Sequence, residues 1–306
     1  MPHKMLGYAL VGPFMAAALV ATGCNSSAPD SPAEPDPLPP PGSLRLPNAT
    51  PEGIPPRCGP GGGRTLEDAQ LTIAVDDPAF APWIIDNDPT TGEGFEGAVA
   101  HAVATTLGYD SGSTTFVRVP FSDALASGPK DFDFAINQFS IIGPRRDFVD
   151  FSSPYYAVAQ AVVALEGTAA ASAENLEDLE DLQIGAYADS TSLYSATHSI
   201  KPTRAPIGFA THGEALNALA LGEIDAVVAD LPTAVRMAEE QLGGGIVVGK
   251  FPAPNEVTEF FGLVLEKDSE FTECASLALE HLHNDGVLEE LADEWLVGSD
   301  VIPVLR

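Results

Sequence analysis

Short apolar runs alternate with stripes of apolar residues at helical spacing along most of this chain. The first run is LTIAV at 71–75, and a turn-rich stretch, DDPAFAPW, follows it. Phe95, Ala98, Val99, Ala102, Val103, Thr106 and Leu107 then recur on one face of a 3.6-residue period, with Gly108 just past the end. Residues 116–119 read as strand, 122–127 as a short helix and 132–137 (FDFAIN) as strand. The alternation begins afresh near residue 165. Strands are predicted at 182–187, 206–209, 226–229, 246–248 and 260–265. Helices are predicted from Ser190 onward, over 212–221 before Gly222, over 231–242 before Gly243, and over 270–284 and 287–296. Strands that alternate with helices require mostly parallel sheets covered on both faces. Two such runs imply two α/β lobes, and no short fixed repeat is present.

The flanks have a different character. Lys4 precedes an apolar stretch, MLGYALVGPFMAAALVA at 5–21, which Pro13 interrupts and which ends in Thr22-Gly23-Cys24. It is short for a membrane span and has the build of a secretory signal. Small residues before a cysteine resemble a bacterial lipoprotein signal, which implies cleavage before Cys24 and lipidation of its thiol. An ordinary secretory peptide with an incidental cysteine is the alternative. Residues 25–66 are dominated by Pro, Gly, Ser and Ala without periodicity, the composition of an extended tether. Export permits disulfides. With Cys24 lipidated, Cys58 and Cys274 form an even pair and a candidate bridge, the alternative being a buried thiol at Cys274 on its helical face.

The chain has 306 residues, with 14 Lys and Arg against 44 Asp and Glu, a formal net charge of −30. Such a surface repels phosphates, which argues against nucleic acid and anionic lipid as partners. It also makes Arg145 and Arg146, side by side after the strand at 132–137, conspicuous. Ligands of α/β sheets bind at the carboxyl ends of strands, where helix N-termini expose N–H groups. Three loops fit. Ser140 and Arg145 follow one strand, and a guanidinium there suits a carboxylate. Asp189-Ser190-Thr191-Ser192 opens a helix, and its hydroxyls suit an anion. Asp230 follows the strand at 226–229, and its carboxylate suits an ammonium. Together they describe a site for a zwitterion. Each has a plainer reading: a solvated surface arginine, a helix cap at Asp189 or Ser190, and a cap at Asp230 ahead of Leu231-Pro232.

Other chemistry is weakly supported. GGGIVVGKF at 243–251 lacks the Ser or Thr of a phosphate loop and precedes a strand. The six histidines lack metal spacing, and no Gly-x-Ser-x-Gly elbow occurs. No cofactor, metal or catalytic residue is expected.

From about residue 70 to 297 the order of features resembles the family 3 solute-binding proteins of bacterial ABC importers, the polar amino acid class. The matching stretches include LTIAVDDPAFAPW, GEGFEGAVAHAVATTLGY, FDFAINQFSIIGPRRDFVDFSSPYY, LEDLEDLQIGAYADSTS, GEIDAVVADLPTA and NDGVLEELADEWL. The resemblance implies a two-lobe periplasmic-binding-protein fold (type II), each lobe a mostly parallel sheet flanked by helices. Two strands, near 156–165 and 256–264, would form the hinge. The implied division is a signal peptide at 1–23, a tether at 24–67, lobe one at 68–157 plus 257–306, and lobe two at 158–256.

Residue by residue, the resemblance puts Arg145 on the ligand carboxylate, with Thr191 helping from lobe two. Ser140 falls near the amine, Gln138 offers its backbone carbonyl, and Asp230 pairs with the amine. Phe80 and Phe121 sandwich the ligand side chain, and Asp77 meets a distal polar group. The sequence departs from the family at Ile142-Gly143-Pro144, where a threonine hydroxyl is lost, at Glu96-Gly97-Ala98, where an acidic residue is dropped, and at Asp189. The implied protein is a monomer outside the cytoplasm, anchored through lipidated Cys24, that closes on an amino acid or similar zwitterion and docks on an ABC permease. The alternatives are a small-acid lyase or dehydratase on the same fold, with Asp189 as a buried general acid, and a ligand-sensing partner of a receptor.

Overall fold

The computed structural model describes residues 51–254, 257–296 and 302–306. The signal segment and Cys24 lie outside the described residues. Two five-stranded sheets carry the fold. The first has the order β2-β1-β3-β10-β4, from β1 (Leu71–Val75), β2 (Thr114–Arg118), β3 (Phe134–Ala135), β4 (Val149–Val158) and β10 (Glu259–Glu266). The second has the order β7-β6-β8-β5-β9, from β5 (Gln160–Leu165), β6 (Ile184–Tyr187), β7 (Ile207–Phe209), β8 (Ala226–Asp230) and β9 (Gly245–Phe251). Both sheets are mixed. In each, one strand runs against the other four: β10, which pairs antiparallel with β3 and β4, and β5, which pairs antiparallel with β8 and β9. Those two reversed strands are also where the chain passes between sheets. Only Ala159 separates β4 from β5, and residues 252–258 join β9 to β10.

The helices cover the sheets as their periodicity predicts. α1 (Phe95–Thr106) and α6 (Thr272–Asn284) bury their apolar faces on the first sheet. α7 (Val287–Trp295) joins them in the same core. In the second sheet, α4 (His212–Ala220) and α5 (Leu231–Arg236) pack on one face. The helix predicted over 231–242 stops being regular at Arg236 and ends in one wide turn, Met237–Gln241. Two short helices, α2 (Phe121–Leu125) and α3 (Thr191–Ser195), sit at strand ends and help frame the site.

Two segments depart from the expected division. Residues 51–67, expected within the tether, pack on the first sheet's core. Cys58 is fully buried and disulfide-bonded to Cys274 of α6. Arg57 pairs with Glu273 at 2.9 Å, Arg64 pairs with Glu270, and the Leu66 N–H donates to Asp133 at 2.7 Å. Composition alone reads this stretch as a linker, because the contacts that order it lie far along the chain, from 67 positions for Leu66–Asp133 to 216 for the disulfide.

The C-terminal residues 302–306 were expected with the first lobe and pack instead on the second sheet. Val304 bridges to Lys250 of β9, and Leu305 is buried in the second sheet's core. Gly249 explains the docking, since a Cβ there would lie 2.6 Å from Leu305 Cγ. The apolar tip at 304–305 therefore fits an edge strand that carries no side chain opposite it.

Candidate functional site

The carboxyl ends of the parallel strands in both sheets face one cleft, and five contacts hold its walls together. Trp83 Nε1 donates to Thr233 Oγ1 at 2.8 Å. Ser140 Oγ lies 3.1 Å from Thr191 Oγ1. The Arg145 guanidinium donates to the Asp189 carbonyl at 3.2 Å. Phe80 meets His212, and Phe121 meets Tyr187, at ring separations of 5.1 and 5.7 Å. In each pair the first residue belongs to the first sheet's half and the second to the other, so this is a closed arrangement.

Arg145 sits in a 3₁₀ turn, Gly143–Asp147, which Pro144 helps start. Its guanidinium lies 5.3 Å from the Phe121 ring and also donates to the Ser140 carbonyl at 3.1 Å. Burial lowers its pKa to about 10, with Glu259, Asp230 and Asp189 pulling the other way, so it stays charged at neutral pH. Arg146 is exposed and rests on Phe151. The structure thus separates the pair: Arg145 is half-buried between Phe121 and the Asp189 carbonyl, and Arg146 is on the surface.

Asp230 ends β8 at the N-terminus of α5, yet its side chain makes no capping bond there. Its carboxylate instead accepts from Gln160 Nε2 at 2.8 Å. Burial pushes its pKa well above the ordinary carboxylate value. Neighbouring Glu259 adds to the rise, while Gln160 and Arg145 oppose it. The cap-only reading fails here, whereas Ser190 does cap: its Oγ accepts from the Leu193 N–H at 3.2 Å and donates to the Tyr187 carbonyl at 2.6 Å.

Two carboxyls that the sequence reading passed over complete the cluster. Glu259, the first residue of β10, accepts from Ser140 Oγ at 2.5 Å and from Gln160 Nε2 at 3.0 Å. A lone acid ahead of an apolar run reads as a strand-end surface charge; its burial at the crossing strand was the missing information. Glu96, in the first turn of α1, is fully buried. It accepts from Tyr155 Oη at 2.5 Å, from the Gln138 N–H at 2.7 Å and from the Gln138 side-chain amide. Gly94 makes this possible, since its φ is +91° and a Cβ there would meet the Trp83 carbonyl at 2.5 Å. Gln138, expected to offer its backbone carbonyl to a ligand, is committed through its N–H and side chain to Glu96.

Burial raises the Glu96 pKa from 4.5 to about 7. A carboxyl raised in the folded state stabilises the protein below its unfolded pKa, and that stability is lost as pH rises through the folded one. We therefore expect Glu96 to remove on the order of 3 kcal/mol between about pH 4.5 and pH 7. Unfolding by denaturant across that range should show a steeper fall for the parent than for Glu96→Gln. Identical slopes would contradict the assignment.

Two cavities open on the cleft. One, of about 520 Å³, is walled by Asp76, Asp77, Phe80, Tyr187, His212 and Thr233 among others. His212 Nδ1 is sealed there without a hydrogen-bond partner, and burial lowers the ring's pKa to about 4. The other, of about 690 Å³, is walled by Arg145, Asp189, Ser190, Thr191, Ser195 and Glu259 together with apolar side chains. Asp230 is on neither wall. Phe121 is on neither wall either: it stacks on Phe139 at 5.1 Å, so the expected Phe80–Phe121 sandwich is not formed. Tyr187 and His212 stand between them, 5.1 Å from each other. Asp189, the candidate buried acid of an enzyme, is exposed, with φ +58°. Its αL backbone turns the carbonyl toward Arg145 and leaves the carboxylate in solvent.

Residues 71–298 match the profile of the bacterial extracellular solute-binding proteins, family 3. The chain belongs to this family. Among relatives of this solute-binding protein, the arginine-binding periplasmic protein of Mannheimia haemolytica is 25 % identical over 230 residues, 74 % of this chain and 92 % of the relative. The ABC transporter glutamine-binding protein of Bacillus subtilis is 25 % identical over 218 residues, 68 % and 75 % of the two chains. A solved structure of an ancestral arginine-binding protein bound to arginine superposes with a TM-score of 0.61 at 26 % identity, covering 75 % of this chain and 99 % of that one. The two-lobe binding-protein fold expected for the family 3 solute-binding protein is the fold observed.

Proposed function

We propose that this solute-binding protein captures an α-amino acid in the cleft and hands it to an ABC permease. Arg145 and Thr191 take the α-carboxylate, Ser140 and Asp230 take the α-amine, and Asp77, Phe80, Tyr187 and His212 meet the side chain. The observation that carries the reading is Asp230: a half-buried carboxyl at a helix N-terminus that does not cap its helix, within the electrostatic reach of the half-buried cation Arg145. A charge drawn out of water needs a partner, and a zwitterion supplies one to each group. The arginine- and glutamine-binding relatives support an amino acid with nitrogen in its side chain, which Asp77 and the unpartnered His212 nitrogen would suit.

Ligand bridging the two halves favours the closed arrangement, and the permease reads closure. The lobes pivot where the chain crosses between the sheets, at Ala159 and beyond the end of β9. The working form is a monomer outside the cytoplasm, held by lipidated Cys24. No catalytic step is assigned, because the acid that an elimination would need at Asp189 stands in solvent. Transport is favoured over sensing by the transporter context of the relatives.

The test is calorimetric titration of the full chain, stripped of carried-over ligand, with the standard amino acids one at a time. Arginine, lysine, glutamine or histidine should bind with micromolar affinity or better. Silence from every amino acid would overturn the reading.

A further inference from the structure

Asp230 does not hold its hydrogen-bond donor alone. Gln160 Nε2 donates to Asp230 Oδ1 at 2.8 Å and to Glu259 Oε2 at 3.0 Å, so two carboxyls share one amide. The backbone builds this arrangement where the chain crosses between the sheets. Gln160 pairs in register with Asp230 across β5 and β8, and Glu259 pairs with Val158 across β10 and β4. Val158 and Gln160 stand two positions apart on either side of Ala159, and residues two apart in extended chain point the same way. Glu259, Gln160 and Asp230 therefore fall on one side of the crossing. Glu259 also accepts from Ser140 Oγ at 2.5 Å, so it reaches both amine-side residues, Ser140 directly and Asp230 through Gln160. The cluster is poor in donors. Gln160 is fully buried, and its Oε1 has no hydrogen-bond partner among the described residues. The groups acting on Asp230 are Glu259 from β10, Gln160 from β5, Glu96 from α1 and Arg145 from its 3₁₀ turn, with Tyr155 of β4 within its field. Three carboxyls thus answer to one guanidinium. Like charges packed this closely do not all ionise, and an ammonium brought to one of them favours its ionised form. Burial, with Glu259 adding to it, already raises Asp230 well above the ordinary carboxylate value.

We infer that Glu259 makes ligand capture proton-coupled: the Asp230–Glu259 pair, bridged by the Gln160 amide, holds one proton before the ligand arrives and gives it to solvent when the ligand's ammonium takes its place. The inference rests on the amino-acid reading of the cleft, since the ammonium is that of the amino acid. One carboxyl O–H bond breaks and its proton leaves to water or buffer. The oxygen that carried it then accepts from the ammonium, and the ligand keeps its own protons. Glu259 is a positioning residue in this scheme, because it acts on the amine through Gln160 and Ser140. Binding releases a proton, so affinity rises with pH for as long as the empty pair is protonated, and one released proton gives a slope of about tenfold per pH unit.

The test is calorimetric titration of the full chain, freed of carried-over ligand, in buffers of different ionisation enthalpy between about pH 5 and pH 7. The probe is arginine, or glutamine should arginine be silent; neither changes charge in that range. His212 stays neutral there, because burial holds its pKa at about 4. The parent should release close to one proton per ligand and gain about tenfold in affinity per pH unit. Glu259→Gln keeps the size of the side chain and an oxygen for Ser140, and should move the sloping region down by about one pH unit or more, since the like charge is gone. Glu96→Gln removes the other raised carboxyl and should keep the slope. A ligand that binds with a flat pH profile and no buffer-dependent heat overturns the coupling, leaves the amino-acid reading standing and needs no variant to show it. A slope that Glu259→Gln does not move, or that Glu96→Gln abolishes, also overturns it. If no amino acid binds at any pH, the amino-acid reading falls and takes the coupling with it.

Discussion

Replacing Arg145 by alanine should weaken amino acid binding by a factor of about 10³, whereas the same change at Arg146 should leave it within twofold. Truncating one member of a buried, hydrogen-bonded charge pair costs about 2–5 kcal/mol, and here the loss is at the upper end for an electrostatic reason. Arg145 is the cation of a cluster that otherwise holds Asp230, Glu259 and Glu96. Without it, an incoming carboxylate meets only carboxyls. Arg145→Lys should recover part of the loss, because an ammonium restores the charge but not the paired donors of a guanidinium. Calorimetry reads the affinity. Trp83 offers a second readout, since its indole N–H bonds Thr233 across the cleft and its emission should report closure. Arg145→Ala should need about a thousandfold more ligand to move the Trp83 emission. Retained micromolar affinity in that variant would remove Arg145 from the site.

That the arginine could be picked out at all follows from where it falls in the chain. Strands bury continuous apolar runs, so their ends are visible, and a parallel α/β sheet puts its ligands at those ends. Arg145 and Thr191 lie in the loops beyond the ends of β3 and β6, and Asp230 ends β8. What escaped the sequence was anything decided by a partner far along the chain. Glu259 looks like any acid before a strand until Ser140 and Gln160 are seen to bond it from 119 and 99 positions away. Glu96 looks like a first-turn helix acid, and only the approach of Tyr155 and Gln138 makes it a buried hub. Phe121 was expected on a ligand; it is held instead by Phe139, with which it stacks. The C-terminal residues 302–306 carry no pattern long enough to predict a bridge to β9, and Gly249 is the one local hint that something packs there.

The second large effect belongs to the Cys58–Cys274 bridge. It spans 216 positions, so it removes a long loop from the freedom of the unfolded chain. Loop entropy of that size corresponds to a little over 5 kcal/mol, at the upper end of the roughly 2–5 kcal/mol that loss of a native disulfide in a small secreted domain typically costs. At roughly 2–4 °C per kcal/mol for a domain of this length, reduction or Cys58→Ala/Cys274→Ala should lower Tm by about 10 °C. The ion pairs beside the bridge, Arg57–Glu273 and Arg64–Glu270, involve well-exposed carboxylates and should not hold the segment alone. Residues 51–67 should therefore become sensitive to protease in the reduced protein while the sheets remain intact. Amino acid affinity should change little, because Cys274 lies on α6 in the core of the first sheet and lines neither cavity. Equal melting temperatures with and without reductant would show that packing of Ile54 and the Leu66–Asp133 bond suffices to dock the segment. The bridge would then be a consequence of that docking.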